Sequence, residues 1–153
     1  MTICADARDG GRLRPLVHRW IRGVDLIALL WILRRMVAEA GSIEGFFLDG
    51  HAASESDVGP ALNRFAARAR AIDVDAIYGD RDGRRWATYF FPRPDAGSAC
   101  KRLNLFLRWM VRRDAVDLGV WSGLSPSKLV VPLDTHVMRV GRCLGLTRYR
   151  SPG

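Results

Sequence analysis

Lysine is nearly absent from this chain: of 24 cationic residues only Lys101 and Lys128 are lysines, and the rest are arginines. A guanidinium carries charge but cannot deprotonate and attack carbon, so amine chemistry is confined to two positions. Cysteine is scarce as well. Cys4, Cys100 and Cys143 are odd in number and widely spaced, which excludes a disulfide framework or a zinc-finger pattern and predicts reduced thiols in a cytoplasmic protein. The longest apolar run, Leu26 to Leu33, is far short of the roughly 20 residues of a membrane helix. The N-terminus also lacks the apolar stretch of a secretory signal. No internal repeat or low-complexity segment is visible. Acidic residues are outnumbered, 16 against 24, for a formal charge of +8 and a pI near 10.4. That balance suits a polyanionic partner, nucleic acid foremost, although a basic surface alone does not require one.

What is present is helical periodicity. The 153 residues suffice for one sizeable core. Residues 1–14, polar and arginine-rich, are predicted to be disordered, and 15–153 to form a single helical domain. Apolar residues wrap most of a helix from Asp25, its candidate N-cap, to Ala40, with Gly41 as the stop. Ser42 caps a short helix through Leu48, and Asp57 opens another through about Ala71 that tolerates Pro60 in its first turn. Between about 73 and 95 the periodicity fails. Asp82-Gly83 separates Ala76-Ile77-Tyr78 from Trp86-Ala-Thr-Tyr-Phe-Phe91, which predicts an irregular linker, with a small hairpin as the alternative. Gly97-Ser98 introduces a helix from Ala99 to about Arg113, and Asp134 begins a last helix that stops at Gly145. The closing Ser151-Pro152-Gly153 reads as the end of a fragment.

Two runs carry the chemistry. In Lys101-Arg-Leu-Asn-Leu-Phe-Leu-Arg-Trp-Met-Val-Arg112, helical spacing places Lys101, Arg108 and Arg112 within about 40° of one another, opposite Leu103, Phe106, Leu107 and Met110. Arg102, Trp109 and Arg113 fill the flank, and an aromatic among cations suits phosphates and bases. An ordinary amphipathic helix with a solvated face has the same pattern. With Ser98 as N-cap, Lys101 stands at the third helical position, where the helix dipole disfavours its ammonium form. In the second run, Val-Val-Pro132-Leu-Asp134-Thr-His136-Val-Met-Arg139-Val-Gly, Asp134 is placed to cap the last helix, and capping keeps a carboxylate ionised. Thr135 and His136 in the first turn read as structural support. Arg139 can reach a phosphate or remain solvated.

The run Val-Pro-Leu-Asp-Thr-His-Val, together with Phe-Phe-Pro-Arg-Pro-Asp-Ala-Gly-Ser-Ala-Cys-Lys-Arg-Leu-Asn-Leu-Phe-Leu-Arg-Trp-Met-Val-Arg, closely resembles the DUF2400 proteins. Trp20-Ile-Arg-Gly-Val-Asp-Leu-Ile-Ala-Leu-Leu fits them too. That family is similar in turn to the helix-hairpin-helix (HhH-GPD) DNA glycosylases, nearest the archaeal 8-oxoguanine branch. The resemblance implies that Lys101 is a nucleophile and Asp134 its electrostatic partner. The glycosylases' "L-P-G-V-G-x-K" hairpin is replaced here by Pro94-Asp-Ala-Gly97-Ser98-Ala-Cys-Lys101. Family members are longer at both ends, and many relatives hold an iron–sulfur cluster in the part beyond this chain.

The expectation is therefore an all-α, orthogonal helical bundle forming part of an HhH-GPD glycosylase-like fold. Its function would be removal of a damaged base, an oxidised purine for example, through a lysine Schiff base. Lys101 and Asp134 would be catalytic; Arg102, Arg108, Arg112, Gly97, Ser98 and Arg139 would meet DNA; His136 and Thr135 would support the site. No metal or cofactor is expected in this chain. The expected partner is damaged duplex DNA, met by a monomer without a membrane. A non-catalytic nucleic-acid-binding or structural remnant of the same fold is the alternative.

Overall fold

Capping chemistry sets the helix boundaries, beginning with the longest. In the computed structural model, which describes residues 10–79, 84–131 and 134–148, a four-residue helix α1 (Gly10–Leu13) precedes a two-stranded hairpin, β1 (Val17–His18) and β2 (Ile21–Arg22). Helix α2 (Gly23–Ala40) follows at once. Its N-cap is Arg22 rather than Asp25. Asp25 lies in the first turn, accepts from the Arg22 backbone N–H at 2.7 Å, and with its other oxygen accepts from the Tyr78 hydroxyl at 2.8 Å. A carboxylate reaching back to the cap N–H is one half of a capping box, which is why a helix can begin before its acidic residue. Gly41, at φ 75, ends α2 by donating to the Val37 carbonyl.

Ser42 caps α3 (Ile43–Leu48) by accepting from the Gly45 N–H at 2.8 Å. Helix α4 (Gly59–Ala71) starts two residues after Asp57, whose side chain accepts from the Gly59 N–H at 2.7 Å. The segment expected to be an irregular linker contains α5 (Asp75–Tyr78) and α6 (Arg84–Phe90). The aromatic run ending at Phe91 is thus helical, and tertiary packing has overridden its strand propensity: Phe91 is buried and its N–H reaches back to the Ala87 carbonyl. The residues at the Asp82-Gly83 turn lie outside the described segments, as do 1–9 of the expected disordered tail. Gly10–Leu13 of that tail is helical. A 3₁₀ turn at Pro94–Ala96 leads to α7 (Lys101–Val111), a second at Pro126–Lys128 follows, and α8 (Thr135–Cys143) closes the order. The fold is mostly helical, with the hairpin as a small sheet.

The core lies where α2, α3, α4 and α7 converge. Ala28, Ile32 and Met36 of α2, Phe46 and Phe47 of α3, Leu62 and Phe65 of α4 and Leu107 of α7 are buried together. Phe47 is the hinge of this packing. Its ring lies 5.7 Å from both Phe65 and Trp121, centroid to centroid, and Phe106 closes on Trp121 edge-to-face at 5.5 Å. Such aromatic contacts add about 0.5–1.5 kcal/mol each beyond the area they bury. No helix among the described residues is long and apolar enough to cross a membrane.

Removing the ring that joins α3, α4 and the segment after α7 should therefore unsettle the whole core. Phe47→Ala is expected to cost about 3–5 kcal/mol of stability in urea denaturation. Val116→Ala, at a 78% exposed position, should stay within about 0.5 kcal/mol of the parent.

Candidate active site

Two helix starts meet at one charge pair. Lys101 is the first residue of α7 and Asp134 the N-cap of α8. Although 33 positions apart, their side chains are joined by Lys101 Nζ donating to Asp134 Oδ2 at 3.0 Å. The lysine side chain is 48% exposed and the aspartate 29%, so the pair is open to solvent from the lysine's side. Asp134 uses its oxygens separately: Oδ1 accepts from the Val137 backbone N–H at 2.8 Å while Oδ2 takes the ammonium. The Val137 N–H first, and Lys101 second, hold this carboxyl below its ordinary value of 3.8. Capping and pairing are thus compatible in one residue.

The start of α7 differs from expectation. Ser98 does not cap it. Cys100 occupies the cap position with φ 46, a left-handed conformation rare for a residue with a β-carbon. Ser98 instead accepts from the Cys100 N–H at 3.2 Å. Gly97, at φ 77, ends the 3₁₀ turn by donating to the Pro94 carbonyl at 3.0 Å, so its conformational freedom serves a turn. The Cys100 thiol is buried, which raises its pKa, and donates to the Pro92 carbonyl at 3.4 Å.

The other expected site residues divide. Arg102 neighbours Lys101, stacks its guanidinium 3.6 Å from the centroid of the Tyr89 ring, and donates to the Tyr89 carbonyl. Arg108 and Arg112 do not present free cations. Arg108 Nε donates to Asp117 Oδ2 at 2.9 Å, and Arg112 lies 3.7 Å from the same oxygen while bonding Asp114 at 2.9 Å. The Asp117 side chain is 0% exposed, and its Oδ1 has no hydrogen-bond partner. A buried carboxylate requires paired cations, so this stripe of α7 anchors the loop that follows it. Thr135, His136 and Arg139 lie exposed on α8.

Asp114, Asp117 and Tyr89 were not singled out by sequence reasoning. The spacing Asp114-x-x-Asp117 just beyond two arginines was the available signal for the first two: Asp114 Oδ1 accepts from the Val116 and Asp117 N–H groups, closing a turn that returns Asp117 to the helix. Beside the pair lies a small apolar cleft of about 170 Å³, lined by Leu62, Pro94, Cys100, Asn104, Val130 and Val131 among others. Neither Lys101 nor Asp134 lines it. Among the described residues no cluster of His, Cys, Asp and Glu could hold a metal ion.

Residues 3–152 match the model of a family described as "Protein of unknown function (DUF2400)". No curated protein and no solved structure matches the chain.

The order of causes at Asp134 is measurable. Carboxyl-carbon NMR should give it a midpoint below 3.8. Lys101→Met should move that midpoint upward without restoring it fully, because the Val137 N–H bond remains. Being lower in the folded state, this pKa contributes stability above the unfolded value that is lost as pH falls through the folded one. Asp134→Asn should therefore flatten the acid limb of the stability profile in that window, and an unchanged limb would show that the cap is not formed.

Proposed function

This chain belongs to the DUF2400 family, and we propose that it acts on DNA as a base-excision glycosylase with lyase activity, through an HhH-GPD-like arrangement of its helices. The observation that carries the reading is the close pair of a lysine amine and a helix-capping carboxylate, 3.0 Å apart on two elements distant in sequence. It gains weight from the chain's other lysine, whose ammonium is engaged elsewhere by the Ala53 carbonyl at 2.6 Å.

The proposed step begins with a damaged nucleotide turned out of the duplex so that its sugar meets the pair. The glycosidic bond breaks and the base leaves with the bonding electrons, taking up a proton released by the Lys101 ammonium. Asp134, kept ionised by the Val137 N–H, stabilises the positive charge that develops at C1′. The freed amine gives its lone pair to C1′, and opening of the sugar ring at C1′–O4′ moves a proton from nitrogen to that oxygen, leaving a protonated Schiff base. Of the expected set, this reading assigns Arg139 to a phosphate and Arg102, stacked on Tyr89, to the bases. Arg108 and Arg112 support it indirectly, by fixing the loop after α7.

A non-catalytic nucleic-acid-binding role is the second reading, favoured by the openness of the pair, which leaves the Lys101 ammonium half exposed to a phosphate.

Borohydride trapping on lesion-bearing duplexes separates the two. The parent protein should yield a reduced covalent adduct, which a purely binding protein cannot. Lys101→Arg keeps the charge but not the amine, so it should abolish the adduct and weaken duplex binding only modestly. Asp134→Asn keeps an oxygen for the cap and should slow adduct formation by about a hundredfold or more, with the fold nearly unchanged. Wild-type trapping by Lys101→Arg would remove the nucleophile assignment.

A further inference from the structure

The hairpin that precedes α2 has a strained turn with an aromatic at its tip. Val17 pairs with Arg22 and His18 with Ile21, leaving Arg19-Trp20 as a two-residue turn. Turns of this length favour Gly or Asn where φ is positive, yet Arg19 holds φ 56. Strain of this kind persists only where the surroundings enforce it, and it accumulates at binding sites. Its consequence here is the presentation of Trp20, a residue 69% exposed. A side chain so open contributes little to the core.

Trp20 does not stand alone. Its ring meets Tyr89 of α6 nearly edge-on, with centroids 6.4 Å apart and planes at 82°. The Tyr89 ring in turn packs under the Arg102 guanidinium. An indole, a phenol and a guanidinium from three separate elements thus form one row that ends at the residue following Lys101. Arg19 and Arg22, both exposed, flank the indole on its own hairpin. Aromatic faces interleaved with cations bind bases by stacking and the connecting phosphates by charge. The net charge of +8 favours a polyanion over a protein as the occupant of such a row.

We infer that Trp20, Tyr89 and Arg102 form a stacking platform for an unpaired nucleobase of a DNA strand, with Arg19 and Arg22 meeting the adjacent phosphates. The platform lies outside the Lys101–Asp134 pair. It rests on the proposed function only in that the strand held here is the one whose sugar reaches Lys101. The ligand is thus a single-stranded or locally unpaired segment, recognised by base faces rather than by base edges.

The test compares the full chain with Trp20→Ala and Trp20→Phe, by fluorescence anisotropy on a short thymidine strand and on an equal strand of tetrahydrofuran abasic analogues, which offer Lys101 no C1′ aldehyde. The abasic strand keeps the phosphates and lacks the bases. Trp20→Ala should weaken binding of the thymidine strand about tenfold and leave the abasic strand nearly unchanged, while Trp20→Phe restores most of the loss. Equal thymidine binding by Trp20→Ala and the parent overturns the inference, as does equal weakening on both strands. A parent dimer in sedimentation that Trp20→Ala converts to monomer, without any preference for bases, overturns it in favour of a second copy of the chain. Borohydride trapping at saturating DNA is read in parallel. Trapping with no stacking effect removes the platform alone, and a stacking effect with no trapping removes the lyase reading alone.

Discussion

The position of Asp134 depends on how tightly the segment between α7 and α8 is fastened to α3 and α4. Trp121 packs on Phe47 at 5.7 Å, and the Glu44 carboxylate accepts from both the Ser122 and Gly123 N–H groups at 2.8 Å. A β-carbon at Gly123 would stand 2.3 Å from a Leu48 methyl, so only glycine allows this approach without displacing that side chain. Further along, the Val58 N–H donates to the Lys128 carbonyl at 3.0 Å, and Lys128 Nζ reaches Ala53. The long connection from α7 is thereby fixed at several points on the core. Since α8 buries only Met138, its own packing does little to locate it. The loop carries the carboxylate to the lysine.

A net charge of +8 gives a poor picture of which cations are free. Arg68 is shared by Glu39, Asp49 and the Phe46 carbonyl, Arg64 is held by Glu55 and Gly50, and Arg93 by Asp95 and Asn63. These groups link α2, α3, α4 and the turn before α7, so the arginine bias serves cohesion as well as field. A guanidinium offers donors in several directions at once, which suits one side chain that must tie together two acids and a carbonyl. The excess positive charge still attracts a polyanion at long range. Exposed cations outside these groups include Arg35 on α2, Arg19 and Arg22 on the hairpin, Arg113 after α7 and Arg139 on α8.

Helix ends were legible where one residue both stops or caps and has a local partner. Gly41, Ser42 and Asp134 act within a turn of their own position, so local pattern suffices to find them. Arg108 and Arg112 were legible only in part, for the opposite reason. Their facing on one stripe is a correct deduction from periodicity, but what that stripe faces is decided by Asp114 and Asp117 on a returning loop, which periodicity does not encode. The aromatic run before Pro92 failed similarly, because its β-propensity competes with the burial of Phe91 against Phe65, 6.1 Å away. Asp25 was placed at a cap when it performs the reciprocal half of one, a distinction of three residues that depends on Arg22 belonging to the hairpin.

The lysine–aspartate pair joins two elements of unequal rigidity. Helix α7 buries Leu103, Asn104, Leu107 and Val111 and carries Lys101 on a well-packed base, whereas α8 exposes Val137 and Val140 and buries only Met138. Elements with few buried contacts open locally at low free energy, so the separation of the two charges is governed by α8 more than by α7. The bonds that Asp134 makes, one to its own helix and one across to Lys101, therefore have different lives. The Val137 cap is local to α8 and persists while the helix does, whereas the ammonium contact depends on where α8 sits relative to α7. A carboxylate whose first ionising partner is the Val137 N–H of its own helix stays charged without depending on Lys101 alone.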